Sequence, residues 1–269
     1  MNLNKKHILL SNDDGIDSPG LWAAAEALSE LGYVTVAAPR DHMSATGRGI
    51  ARGSDGRITK KKLTVNGQEW EVYAIGGSPS QSVMHGLLEV VPQRPDLVVA
   101  GINFGENFAT DISYSGTVGA AIEAASMGIP ALAMSQQIDN EDYDTYHDHV
   151  DFTTAAWFTR YFARILLEKE MPDDVHVLNV VVPEGATEKT PWKVTRLARV
   201  RYFQPYVVRT GKPEDEGYIT SNVLKDEEIP PDNDVYTVRV EKMVAVTPLS
   251  MDMTSRVSTS FLNAVLRAK

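Results

Sequence analysis

Uninterrupted apolar runs of four to six residues alternate with longer stretches in which apolar residues return every three or four positions, and this rhythm holds as far as residue 182. Residues 7–11 and 34–38 read as strands around a helix over 20–31, in which Leu21, Ala24, Leu28 and Leu31 share one side. Pro19 opens that helix and Gly32 closes it, which makes a βαβ unit. Strands with no polar alternation imply a parallel sheet covered on both faces. Over 52–75 the period shortens to a hairpin, with 63–65 going out, a turn at Asn66-Gly67, and 70–75 returning; it reads as an insertion on the sheet. The βα rhythm then resumes with a helix over 80–91, a strand over 97–100, a helix over 118–127 and a strand over 131–134. A helix over 152–167 and a strand over 175–182 complete it.

Beyond Pro183 the segments 193–197, 206–209 and 235–246 read as extended, interrupted by an acidic, proline-bearing stretch over 226–234. Residues 258–268 form an amphipathic helix with Phe261, Val265 and Leu266 on one side. The pattern predicts an α/β catalytic core over 1–185 with a mostly parallel sheet and a hairpin insertion. A β-rich extension over 186–269, ending in a helix, is expected to serve oligomerisation. The terminal helix docks on a partner subunit or on its own domain; the sequence leaves both open.

Composition narrows the partners. At 269 residues and 43% apolar content the chain supports a buried core. Its 36 acidic against 26 basic residues, a formal charge of −10, oppose attraction to large nucleic acids or anionic membranes. Zero cysteines exclude disulfides, thiolate metal sites and cysteine nucleophiles, and fit a reducing compartment, with the cytoplasm as the expectation. No signal peptide is read at the N-terminus, and no apolar stretch approaches the roughly 20 residues of a membrane span.

The chemistry sits in four loops. Ser11-Asn12-Asp13-Asp14-Gly15 follows the first strand, placing two carboxylates at the carboxyl edge of a parallel sheet, where ligands bind. Such oxygens suit Mg²⁺, Mn²⁺ or Ca²⁺, although either aspartate could instead cap the next helix. Pro39-Arg40-Asp41-His42-Met43-Ser44 follows the second strand and offers a hydroxyl. Gly101-Ile102-Asn103-Phe104-Gly105-Glu106-Asn107 offers two amides, in a composition that also suits a tight turn. Ser115-Gly116-Thr117-Val118-Gly119 runs small residues into a helix, leaving N–H groups for a phosphate; a plain N-cap is the alternative.

Taken in order, Ile8-Leu9-Leu10-Ser11-Asn12-Asp13-Asp14-Gly15-Ile16, Ala38-Pro39 leading to Ser44, Gly101-Ile102-Asn103-x-Gly105-x-Asn107 and Ser115-Gly116-Thr117-Val118-Gly119-Ala120-Ala121 resemble the SurE family of stationary-phase survival proteins. The similarity spans 7–135 and touches 178–183 and 246–249. It implies a Rossmann-like three-layer core and an acid-phosphatase-like 5′/3′-nucleotidase acting on nucleoside monophosphates. It also implies one divalent cation per subunit, Mg²⁺ or Mn²⁺, on Asp13, Asp14, Ser44 and Asn103, with Asn107, Ser115, Gly116 and Thr117 near the phosphate. Water would attack phosphorus, with Asp14 receiving the proton, in a homodimer or homotetramer. The segment 209–234 departs from the family by lacking an Asp-Pro-Arg-Gly-type stretch, and serine stands within 78–82 where relatives often carry cysteine.

Other readings are weaker. Gly47-Arg48-Gly49-Ile50-Ala51-Arg52 lacks the last glycine of a dinucleotide fingerprint, and no Walker A loop occurs. Adjacent Asp13-Asp14 is not the Asp-x-Asp of aspartyl-phosphate enzymes, so no covalent intermediate is expected. Tyr146-His147-Asp148-His149 reads as a solvated loop, and Lys60-Lys61-Lys62 as a charged hairpin edge. The runner-up function is a nucleotide- or phosphate-binding module without hydrolysis.

Overall fold

The computed structural model describes residues 5–65, 67–138 and 150–268. Its elements run β1 (Lys6–Ser11), α1 (Pro19–Ser29), β2 (Gly32–Pro39), β3 (Ile58–Val65), β4 (Gln68–Ile75) and α2 (Pro79–His85), then β5 (Leu97–Phe104), α3 (Gly116–Ser126), β6 (Ala131–Gln136), α4 (Thr153–Glu168) and β7 (Val177–Val182). The C-terminal part adds β8 (Trp192–Val194), β9 (Phe203–Arg209), β10 (Gly217–Val223), α5 (Asp234–Arg239), β11 (Val244–Leu249) and α6 (Thr259–Arg267). The fold is α/β, with a nine-stranded sheet in the order β3-β4-β2-β1-β5-β6-β7-β11-β8. Every neighbouring pair in it is parallel except β3 with β4 and β7 with β11.

Period-two alternation within the all-apolar strands builds the layers. Ile8, Leu10, Leu97, Val99, Leu132 and Met134 face one way, into a core closed by α1 and α4. Leu9, Val98, Ala100, Ala131 and Ala133 face the other way, beneath α2 and α3. Because both faces are covered, ligands are left the strand ends. β1 lies between β2 and β5, so three of the four chemical loops leave adjacent strands at their carboxyl ends.

Several expectations need correction. The helix expected over 80–91 forms, but only as far as His85 in α form; from Gly86 to Val90 it widens into a π-turn in which Val91 N–H bonds to Gly86 C=O at 2.9 Å. The hairpin is longer than the pattern suggested. It joins the sheet as its edge, since β4 runs parallel to β2 from Ala37 to Pro39. Its turn residue Asn66 and the stretch Tyr146-His147-Asp148-His149 lie outside the described residues.

The span 235–246 is not continuously extended: α5 precedes β11. The β-branched residues suggested a strand, but Asn233 caps a helix by accepting Tyr236 N–H at 2.9 Å, and Val235 and Val238 bury one side of it. The terminal helix forms as expected. It does not pack on its own domain, for Phe261, Leu262, Val265 and Leu266 are all exposed. Among the described residues no helix is long and apolar enough to cross a membrane.

Within the extension, β8 and β11 complete the main sheet, while β9 and β10 form a separate antiparallel ribbon. A third cluster, including Phe108, Ala198, Tyr202, Val235 and Val238, joins the extension to the loop after β5. Asp234 anchors it. Its carboxylate accepts N–H groups from Ala109 and Ala198 at 2.8 Å each and from Val235 at 2.9 Å. Asp234→Ala strips those buried donors of their acceptor and should lower unfolding free energy by about 3 kcal/mol in urea titrations. A change below about 0.5 kcal/mol would show that the anchor carries no load.

Candidate active site

Asp13 and Asp14 leave the end of β1 in a turn that Asn12 ties across, its Nδ2 donating to Gly15 C=O at 3.0 Å and its Oδ1 accepting Gly15 N–H at 3.2 Å. Gly15 takes a φ of 99°, which a side chain would disfavour. Neither aspartate caps the next helix, whose N-cap is Ser18. The carboxylates turn elsewhere. Asp14 Oδ2 accepts Phe104 N–H at 3.0 Å at the end of β5. Asp13 lies against the start of α3, where the Thr117 hydroxyl and N–H both donate to its carboxylate.

Asp13, Asn103 and Thr117 form one cluster. The Thr117 hydroxyl contacts Asp13 Oδ1 and lies 3.1 Å from Asn103 Oδ1, while Asn103 Nδ2 donates to Gly105 C=O at 2.7 Å. Helix α3 approaches Asp13 so closely that a Cβ on Gly116 would fall 2.7 Å from Asp13 Cβ and 2.8 Å from its Oδ2. Only glycine fits there. Ser115 is the N-cap of α3, its hydroxyl accepting Val118 N–H at 3.0 Å, so the capping alternative describes that side chain.

The loop after β2 is braced on both sides. Met43 N–H bonds to Asp13 C=O at 2.8 Å, and Gly47 N–H to Tyr114 C=O at 2.8 Å. Ser44 is exposed on this loop, its hydroxyl hydrogen-bonded to His42 Nε2 rather than to either aspartate. Asn107 lies on the other flank, its N–H on Ser135 Oγ at 3.3 Å and its C=O receiving Asn179 Nδ2 at 3.0 Å. Its side-chain Nδ2 is buried with no hydrogen-bond partner among the described residues, a donor left for something else.

Among the described residues no Lys or Arg side chain is paired with Asp13, which is 3% exposed. Burial pushes its carboxyl above the ordinary carboxylate value, against the Thr117 hydroxyl and N–H, its own N–H and the nearby His42, which favour the ionised form. Burial also lowers the His42 imidazole, against the pull of the Asp13 charge. His42 is a neighbour of Asp13 that the sequence did not single out; its position two residues before Ser44 was the available signal. No group of three or more His, Cys, Asp or Glu side chains gathers among the described residues, so oxygen donors here are two carboxylates supplemented by neutral amides and hydroxyls.

A family model described as "Survival protein SurE" matches residues 8–204, which contain every site residue above. The chain belongs to the SurE family. It is similar to proteins named 5′-nucleotidase SurE from Thermococcus gammatolerans, 43% identical over 261 residues covering 96% of this chain and 95% of that one, and from Methanosarcina acetivorans, 40% identical over 266 residues covering 96% and 97%. The crystal structure of the SurE protein from Aquifex aeolicus matches with a TM-score of 0.76 at 29% identity, covering 97% of this chain and 99% of that one. The family's fold therefore extends through the C-terminal extension, beyond the segment that the family model matches.

The raised Asp13 pKa has a thermodynamic sign. With the folded value above the unfolded 3.8, the native state holds the proton more tightly, and an ionisation penalty develops as pH rises through that interval. Asp13→Asn carries no such penalty. In EDTA, its Tm should exceed that of the unaltered protein at pH 7 by more than it does at pH 4. A difference independent of pH would contradict the buried-charge account.

Proposed function

We propose that the chain is a divalent-metal-dependent nucleotidase, releasing phosphate from nucleoside 5′- and 3′-monophosphates. The observation that carries this reading is the buried, cation-poor Asp13 carboxylate grouped with Asn103 and Thr117 beside the start of α3. Two carboxylates facing a phosphate dianion would repel it; a cation between them reverses that sign. The donor chemistry fits Mg²⁺ or Mn²⁺, one per subunit, with Asp13, Asp14, Ser44 and Asn103 as its protein oxygens. Such a sparse set leaves coordination positions to water and phosphate. When bound, the cation supplies positive charge against that developing on the phosphoryl oxygens and makes bound water more acidic.

The remaining work falls to the chain. The unpartnered Asn107 Nδ2 supports a phosphate oxygen on that flank, together with the Gly116 N–H where α3 begins, because the Ser115 N–H is bonded to Ile112 C=O at 3.2 Å and the Thr117 N–H is turned to Asp13. Thr117 has a second duty, because its hydroxyl orients Asp13 and Asn103. We assign the proton of the attacking water to Asp14, held in place by Phe104 N–H. The absence of cysteine is compatible with a cytoplasmic setting.

The assembly we propose is a homodimer or homotetramer. Supporting it are the exposed apolar residues Phe261, Leu262, Val265 and Leu266 on α6, and Tyr206, Val207, Tyr218 and Ile219 on the β9–β10 ribbon, an element too small to be stable alone. Deleting 258–269 should reduce the mass measured by light scattering to that of a smaller assembly; an unchanged mass would remove α6 from the interface.

Phosphate release from AMP, GMP and 3′-AMP should require Mg²⁺ or Mn²⁺ and cease in EDTA. Asp13→Asn should lower turnover by about 10²-fold or more while circular dichroism stays native. Activity indifferent to EDTA would rule the reading out.

A further inference from the structure

The loop carrying Asn107 is tied to the C-terminal extension through buried acids. Glu106, 3% exposed, accepts the Tyr202 hydroxyl on Oε1 at 2.7 Å, and Arg239 Nη1 on α5 donates to that same hydroxyl oxygen at 2.7 Å. Arg239 Nη2 continues to Asp226 at 2.8 Å. Asp111 Oδ2 accepts both Tyr202 N–H and Phe203 N–H at 2.8 Å, and Asp234 holds Ala109 N–H. Residues 106–111 are thus gripped at three points by chain that follows them by 91 or more positions.

Tyr202 is the centre of this grip. It is fully buried, with its ring edge-on to Phe108 at 5.3 Å and to Phe203 at 4.8 Å. Burial and the adjacent Glu106 carboxylate push its phenol far above the ordinary value, so it remains a neutral donor throughout the working pH range. Packing alone would be served equally well by phenylalanine. The hydroxyl adds a fixed distance between Glu106 and α5, directly beside a residue whose backbone N–H and C=O are themselves both bonded.

We propose that Tyr202 is a positioning residue for the phosphate side of the active site: by linking Glu106 to Arg239 it holds the Asn107 amide where it meets a phosphate oxygen. The proposal rests on the phosphate-binding reading above, and extends the site to a part of the chain that carries none of its ligands. Asn107 would contact phosphate before and during the reaction alike, so loosening it should weaken binding more than turnover.

The test uses full-length protein with Mg²⁺: calorimetric Kd for inorganic phosphate, Kd for Mg²⁺, and kcat and KM for AMP, in wild type, Tyr202→Phe and Glu106→Gln. Tyr202→Phe should raise the phosphate Kd and the AMP KM by about fivefold or more, with kcat and the Mg²⁺ Kd within about twofold. Glu106→Gln keeps a carbonyl acceptor for the hydroxyl and should lose less phosphate affinity than Tyr202→Phe. A purely structural hydroxyl would lower Tm and leave the phosphate Kd unchanged at temperatures where all three are folded. That result, or a loss confined to Glu106→Gln, overturns the proposal. Failure of the nucleotidase reading shows separately, as wild type that binds phosphate but releases none from AMP.

Discussion

A carboxylate enclosed by protein is costly to ionise unless something nearby supplies positive charge, and Asp13 is enclosed in this way. The surrounding arrangement follows from that constraint. Strand β1 is central, so its end is walled by the loops of β2 and β5, and neither contributes a lysine or arginine to Asp13 among the described residues. The start of α3 closes the third side with a hydroxyl and N–H groups, which orient the charge without neutralising it. On the proposed function, a bound divalent cation rather than a side chain supplies the balancing charge.

Closeness of α3 to β1 makes that geometry possible, and small residues make the closeness possible. Gly116 lets the helix start sit on Asp13, and one turn along Gly119 lies so near residue 47 that a Cβ would collide with its carbonyl at 2.3 Å. A helix beginning with larger residues would stand off, and Thr117 would no longer span Asp13 and Asn103. The run of small residues that looked like a phosphate cradle is therefore also a packing device. Ser115 shows the same double character, because its hydroxyl accepts the capping N–H of the helix it introduces.

The C-terminal extension is coupled to this edge by polar bonds more than by area. Asp111, Asp234 and Glu106 reach from one segment to backbone groups or a phenol of the other, and each satisfies donors that burial would otherwise leave unpaired. Helix α5 supplies Arg239 and Asp234 from opposite ends of barely two turns. Its β-branched residues concealed it in the sequence, since Val235, Thr237 and Val238 favour strands locally, whereas the Asn233 cap and burial in the cluster with Phe108 and Tyr202 select the helix.

Much of the core was legible along the chain, because a parallel α/β fold writes its strands as short apolar runs and its helices in a longer period. Asp13-Asp14-Gly15, Asn103 and Ser115-Gly116-Thr117 were legible as chemistry because each stands at a strand end or a helix start. What distance along the chain hides is pairing. Thr117 meets Asp13 across 104 positions and Tyr202 meets Glu106 across 96, and no local pattern encodes either. The sequence by itself determined most elements of the core and the edge of the sheet where the candidate oxygen donors stand, since these depend on local periodicity and residue type. Only the tertiary structure decided which hydroxyl orients Asp13, that His42 lies near it, and that the extension reaches the loop carrying Asn107, because those contacts exist only once separate layers pack.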